Sequence, residues 1–477
     1  MTSPSRRWWA LAALVACAVV VDLDTTILNV AVPSFAEQLH ADTGQIQWIL
    51  NAYTIVMAAL FIPAGLLADR LGRKRILLAA MVCFGAGSLI GAFAPNIVIL
   101  FAARAMMGAG AAAILPLTMS LLPVLFPRDQ VPRAMGIASA GMLLGFPLGP
   151  VLGGFLLDHF WWGAALLVNV PIVAVTILVC VVALPESRDP DQPRFAPMPT
   201  GVAILGLASF VYGVIEIPAH GWISGYVLVP VIGGLLLLAG FTFHQTNARA
   251  PMVDFGLFTD RNFLWGTVTA VYVSLALAGL LFVLPQYLQI VHSLTAFTAG
   301  AAVLPFTIGM IAGAQLGPAV VKRAGIRVAI VVGLAALAVG FGLGSATGPG
   351  SGLWFLSLWT VIAGIGTGAA MVPAMTVIVL TLPSASAGVG SALNQTLRGA
   401  ATALGVAALG SVVSAVSGAT RPGAASSAAF VAGMDAVLLV CAVGAVITAA
   451  LTITFLTTRD TAATETTESE HEYAGTA

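Results

Sequence analysis

Two aspartates, Asp22 and Asp24, interrupt an apolar run that starts near residue 8 and continues to Pro33, in the stretch VVVDLDTTILNVAVP. An ionised carboxylate at the centre of a membrane helix costs about 2.5–3.5 kcal/mol on the insertion scale, so two of them call for a chemical purpose. Residues two apart on a helix point about 200° from one another. Asp22 therefore shares a polar stripe with Thr26 and Asn29, at intervals of four and seven, which suits a water-filled cavity. Asp24 faces the other way. A carboxylate open to a cavity can hold a proton or a cation, whereas one packed among helices needs a cationic partner.

Arg104 is such a partner by depth. At about 1.5 Å per residue, Asp24 lies roughly 24 Å from the inner start of the first span, and Arg104 about 20 Å above the same surface. The sequence predicts an Asp24–Arg104 pair that is broken and re-formed as a proton or substrate changes the balance; a permanently closed pair without titration is the alternative. Arg398 and Asp435 each fall about seven residues inside later spans, one entering from the inside and one from the outside, so they are cavity candidates rather than each other's partners. Tyr53, Gln289 and Asn394 complete the expected cavity lining, although aromatic residues near span ends also serve as interfacial anchors.

These groups need helices to hold them. Of 477 residues, 59% are hydrophobic and 8% charged, against about 25% charged in soluble domains, and the mean hydropathy is +1.02. The composition implies an all-α polytopic membrane protein. On a ruler of about 20 residues per crossing, fourteen spans begin near residues 8, 46, 76, 97, 134, 164, 200, 226, 263, 296, 327, 352, 388 and 429. Lys and Arg concentrate in cytoplasmic loops. With the N-terminus inside, 16 of the 19 basic residues fall on the inner side and only Arg421 outside, leaving Arg104 and Arg398 within spans. Both termini are then cytoplasmic, and the N-terminal apolar run is a retained first helix rather than a cleaved signal.

Charge gives no reason to expect nucleic acid, since 19 basic and 19 acidic residues balance. The four cysteines lie in apolar runs without metal-ligand spacing, so neither a metal nor a cofactor is implied. No HExxH, GxSxG or GxxxxGK[ST] pattern occurs, which argues against an enzyme and against ATP as the energy source.

The organisation expected is an N-terminal six-helix bundle (1–184), a cytoplasmic linker (185–199), an inserted helix pair with its following loop (200–262), a C-terminal six-helix bundle (263–456) and a disordered acidic tail (457–477). A faint internal repeat supports it. LLADRLGRKR after span 2 is echoed by AVVKRAGIR after span 10, and GAGAAAILP in span 4 by GIGTGAAMVP in span 12. Parallel repeats of this kind are a transporter architecture.

Several motifs carry a more specific message. The inner loop GLLADRLGRKR, with Gly65, Asp69, Arg70, Gly72 and Arg73, is by itself an anchoring turn; it resembles motif A of the major facilitator superfamily. GFPLGPVLGG in span 5, with Gly145, Gly149, Pro150, Gly153 and Gly154, is by itself a small-residue packing seam; it resembles motif C, which in that superfamily marks proton-exchanging exporters. RAMMGAGAA resembles motif B, with Met107 where glutamine is usual, and LDTTILNVAVP resembles motif D1 of the fourteen-helix drug:proton antiporters. LPQYLQ and LNQTLRGAATALG add weaker support. Departures occur at Trp162, Gly163 and Ala164, where a WRW is usual, and at His244, where many relatives have glutamate.

The resemblance implies the major facilitator fold, with two six-helix bundles and two inserted helices, in a bacterial cytoplasmic membrane. It also implies a monomeric multidrug efflux antiporter, coupled to protons, that exports small amphipathic compounds by alternating access. Asp24, Arg104 and Asp22 would couple protons, and motif A would act as a gate. Export of one endogenous metabolite or antibiotic, or less readily uptake, is the competing expectation.

Overall fold

The computed structural model describes residues 4–39, 41–127, 130–187, 197–248, 255–381, 387–418 and 426–456. Fourteen long helices follow one another: α1 (Pro4–Val30), α2 (Thr43–Leu71), α3 (Arg73–Ala92), α4 (Ile97–Leu125), α5 (Val131–His159), α6 (Asn169–Ala183), α7 (Pro197–Ile215), α8 (Gly225–Asn247), α9 (Arg261–Ile290), α10 (Leu304–Ala324), α11 (Ile326–Gly344), α12 (Leu353–Thr381), α13 (Ala387–Ser417) and α14 (Ser427–Phe455). No strand occurs among the described residues. Thirteen spans are long and apolar enough to cross a membrane, and α5, with 29 residues, stands where the remaining one is expected. The linker segment 188–196 and the tail from 457 lie outside the described residues.

Local chemistry sets the helix ends. Asp42 and Gln45 form a reciprocal capping box that starts α2, Asn96 caps α4 and Asp260 caps α9 through two backbone N–H groups, each satisfying donors that a helix start leaves unpaired. Spans 6 and 10 are each interrupted near their outer ends: Ala164–Leu167 precedes α6 and Ala296–Ala301 precedes α10. Pro305 stands in the first turn of α10, where its missing N–H removes no helical bond. The echoed inner loops also share a conformation. Gly72 between α2 and α3 has φ +114°, and Gly325 between α10 and α11 has φ +85°, values that a side chain would make costly.

Packing divides the helices into two groups and a peripheral pair. In the first group α1 lies against α4, α5 and α6, and α4 against α2 and α3; in the second, α12 lies against α9, α10 and α11, and α14 against α9, α11 and α13. The groups meet where α2 packs on α13 and where α5 packs on the Ala296–Ala301 segment. Helix α7 rests on both α2 and α13, in a cluster of Ile55, Ala58, Leu207, Val211, Ile215, Ala403 and Ala407, while α8 packs chiefly on α7. Large apolar side chains of α8, among them Val229, Leu236 and Phe243, point outward, as expected for a surface facing lipid rather than water.

Glycines of α5 bring it close to α1. A Cβ added at Gly145 would stand 2.7 Å from Asp22 Cβ, at Gly149 2.9 Å from the Leu23 carbonyl, and at Gly153 2.6 Å from Ile27 Cγ1. Gly154 and Gly300 make a second seam, on the other face of α5, where Gly154 meets the Ala296 backbone and Gly300 the Pro150 carbonyl. We therefore expect Gly153→Val to lower the thermal midpoint of the detergent-solubilised protein by several degrees, since overpacking a close contact costs about 1–3 kcal/mol. Gly233→Val, at a position on α8 with no atom within 4 Å of an added Cβ, should leave it nearly unchanged; equal midpoints for the two variants would refute the tight seam.

Candidate functional site

Asp24 is fully buried, as is Arg104 at 2% exposure. The two form a salt bridge through Asp24 Oδ2 and Arg104 Nη1. Helix α1 presents Asp24 toward α4 and α6, and the pair is held by further bonds. Asn169 Nδ2 at the start of α6 donates to Asp24 Oδ1 (3.1 Å) and also contacts Ser88 Oγ of α3 (3.1 Å); Ser88 Oγ in turn donates to the Leu166 carbonyl (2.7 Å). Arg104 Nε donates to the Ile49 carbonyl (3.3 Å), and its guanidinium lies 4.3 Å from the centre of the Tyr53 ring, a geometry in which the ring face attracts the cation. Tyr53 is itself held by a bond from its hydroxyl to the Val21 carbonyl (3.3 Å). Five elements thus converge on one buried ion pair.

The opposite side of α1 lines a cavity of about 160 Å³ between the two helix groups. Asp22, Thr25, Thr26 and Asn29 come from α1, Tyr53, Thr54, Met57 and Phe61 from α2, Arg104 and Leu115 from α4, Ser274, Leu277 and Leu281 from α9, and Gln395, Arg398 and Thr402 from α13. Arg104 and Tyr53 connect it to the buried pair. Asp22 accepts no side-chain hydrogen bond among the described residues. Arg398 is tied down by Nε to Ser274 Oγ (3.1 Å) and by Nη1 to Gln395 Oε1 (2.7 Å).

Of the residues expected around a cavity, Asp22, Thr26, Asn29, Tyr53 and Arg398 share this one. The other expected groups stand elsewhere. Gln289 Nε2 donates to the Val30 carbonyl (3.0 Å) where the outer ends of α1 and α9 meet. Asn394 Nδ2 bonds Thr267 Oγ1 (3.3 Å) between α13 and α9. Asp435 lies on α14 in the second group, and its Oδ1 is buried without a hydrogen-bond partner among the described residues. The reason is rotational: Asn394 faces α9 within the second group, Gln289 faces the outer end of α1, and depth alone does not resolve rotation. Sequence reasoning passed over Asn169 and Ser88; an asparagine opening an otherwise apolar span was the available signal for Asn169.

The motif A residues anchor the inner loop to the end of the first group. Arg73 N–H donates to the Ser187 carbonyl (2.8 Å) and Arg73 Nη1 to the Ser120 carbonyl (3.1 Å). Glu186 receives the Lys74 N–H (3.2 Å) and lies 3.6 Å from Arg75. Gly65 and Arg70 are on the last turns of α2 and Gly72 closes that helix; the Asp69 side chain lies outside the described residues.

A polytopic helical protein with two helix groups around a cavity lined by charged and apolar side chains has the architecture of a membrane transporter. The chain belongs to the Major Facilitator Superfamily, whose family model matches residues 14–406. It is 35% identical over 341 residues to the multidrug efflux pump LfrA of Mycolicibacterium smegmatis, covering 71% of this chain and 67% of the relative. It is 32% identical to the tetracenomycin C resistance and export protein of Streptomyces glaucescens (75% and 66% covered), and 33% identical to the methyl viologen resistance protein SmvA of Salmonella typhimurium (70% and 68%). The matched region spans about two thirds of these relatives. Among solved structures, a peptide transporter, POT, in complex with sulfate superposes with a TM-score of 0.68 at 16% identity (93% and 94% covered). A bacterial homologue of the lysosomal transporter Spinster superposes with a TM-score of 0.65 at 19% identity (96% and 98% covered). The protein is a transporter in the cell membrane and not an enzyme.

Truncating one member of a buried ion pair leaves the other charge uncompensated, at about 3–5 kcal/mol. Arg104→Ala and Asp24→Asn, which each leave the partner charge unpaired, should therefore both lower the thermal midpoint markedly. An unchanged midpoint for Asp24→Asn, measured on the solubilised protein, would mean that Asp24 is not the group that Arg104 neutralises.

Proposed function

We propose that the protein exports small amphipathic organic compounds, drugs among them, in exchange for protons, as a monomer in which the bundles 1–184 and 263–456 rock about the cavity. The observation that carries this reading is a buried Asp24–Arg104 pair that reaches, through Arg104 and Tyr53, the same cavity into which Asp22 opens. Efflux proteins among the relatives support the direction of transport. Protonation of Asp24 would release Arg104, and a compound bound against Tyr53 would act on the same guanidinium, so proton and substrate compete through one residue. Inward movement of each proton gains about 2.3 kcal/mol per 100 mV. The α1–α5 glycine seam places α5 directly beneath Asp22 and Thr26, so that a shift of α5 along α1 is felt at the cavity wall.

The test is proton release from inverted membrane vesicles on addition of candidate compounds. Asp24→Asn and Arg104→Ala should each abolish release while the protein still reaches the membrane, and Arg104→Lys should retain only part of it, because a point charge cannot reproduce the fork of a guanidinium. Undiminished release from Asp24→Asn would remove Asp24 from the coupling. Site-directed labelling separates the two aspartates. In a background without the four native cysteines, a Cys at position 22 should react readily with a small water-soluble thiol reagent, and one at position 24 slowly. Reversed labelling would exchange their roles.

A further inference from the structure

The central cavity joins two unlike charges that come from different helix groups. Asp22 on α1 has its carboxylate open to the cavity, and its Cβ rests against Gly145 of α5. Arg398 on α13 is oriented by Ser274 of α9 and Gln395 of its own helix, which leaves Nη2 without a protein partner among the described residues. The two line the same cavity from different helix groups but form no direct ion pair among the described residues. Arg104, the other cation in the lining, is already neutralised by Asp24. The cavity is thus electrically balanced, with one carboxylate and one guanidinium free to meet a ligand.

Balance of this kind discriminates. A purely cationic ligand would satisfy Asp22 while meeting repulsion from Arg398, and a purely anionic ligand would do the reverse; unpaired and like charges at a desolvated site are the usual basis of rejection. Between the charged ends the lining is apolar, through Leu50, Met57, Phe61, Leu277 and Leu281, and suits an aromatic or aliphatic body.

We propose that the cavity selects amphoteric compounds, in which a protonated amine is held by Asp22 and a carboxylate or comparable anion by Arg398, so that the bound molecule bridges the two bundles. The proposal rests on the export reading above and names its substrate class. Because one ligand then holds α1 and α13 together, occupancy itself favours the arrangement closed around it.

The experiment is isothermal titration of the full-length protein in detergent with 4-(aminomethyl)benzoic acid, its methyl ester and its N-acetyl derivative, which present an amine with an acid, an amine alone and an acid alone on one ring. The amphoteric compound should bind about tenfold or more tightly than either relative. Arg398→Gln should erase its advantage over the ester, and Asp22→Asn its advantage over the N-acetyl compound. Arg398→Lys should keep part of the preference and, with an unchanged thermal midpoint, guards against loss by misfolding. The proposal is overturned if the ester binds as tightly as the amphoteric compound, if Arg398→Gln leaves the gap intact, or if none of the compounds binds. In the first two cases proton release by the ester from inverted vesicles would leave the export reading standing.

Discussion

A carboxylate and a guanidinium taken out of water together must recover their hydration from each other and from their neighbours, and the first helix group is arranged around that requirement. Desolvation of a buried ion pair can exceed the Coulombic gain unless the remaining lone pairs and protons are also bonded. Here Asn169 takes the second oxygen of Asp24, the Ile49 carbonyl takes Arg104 Nε and the Tyr53 ring faces the guanidinium. Satisfying all of these fixes the rotation of α1 against α2, α4 and α6. Once that rotation is fixed, the residue two positions earlier has no choice of direction: Asp22 is turned through about 200° into the space between the groups. The cavity carboxylate is a geometric consequence of the buried one.

Helix α5 carries this constraint across to the second group. Its glycines at intervals of four allow α1 to approach within backbone contact beneath Asp22, Leu23 and Ile27, and its Gly154 meets the Ala296 backbone on the opposite face. At its outer end Asp158 receives the N–H groups of Ala296 (3.0 Å) and Phe297 (3.1 Å), which are the orphan donors at the start of a short helix. One helix therefore holds the cavity wall on one side and the outer contact between the groups on the other.

Much of this was legible because membrane chemistry writes large signals. The spans follow from the cost of placing unpaired backbone in lipid, and the expected starts fall within a few residues of the observed helices, as at residue 97 for α4 and residue 226 for α8. The angular separation of Asp22 and Asp24 follows from helix geometry alone, and the depth match of Asp24 with Arg104 from rise per residue. What those rulers leave open is rotation about each helix axis in the absence of a second polar residue. Asp22 had Thr26 and Asn29 to mark its face; Asn394, Gln289 and Asp435 had no such stripe, and their positions outside the cavity depend on packing that sequence periodicity does not encode. Asn169 was hidden for the opposite reason, since its function as a bonding partner needs a fold that brings α6 beside α1.

The two contacts between the groups differ in how well their polar atoms are satisfied, and the difference bears on how easily they part. At α5 and the Ala296–Ala301 segment, Asp158 makes charge-assisted bonds to two backbone donors, which are stronger than neutral ones. At α2 and α13, Asn51 is fully buried with neither side-chain atom bonded, and Gln47 Oε1 is likewise unpartnered among the described residues. Each such orphan costs about 1–3 kcal/mol. Toward the inner side the same helix pair is closed by apolar packing of Leu66 with Phe263, Ile378 and Leu393, which carries no such penalty. Asp158 is exposed, so water would replace its two bonds if the outer contact parted, and the same water would reach Gln47 and Asn51. The outer contact therefore costs little to separate, whereas the inner one, built from buried apolar side chains, loses burial on parting.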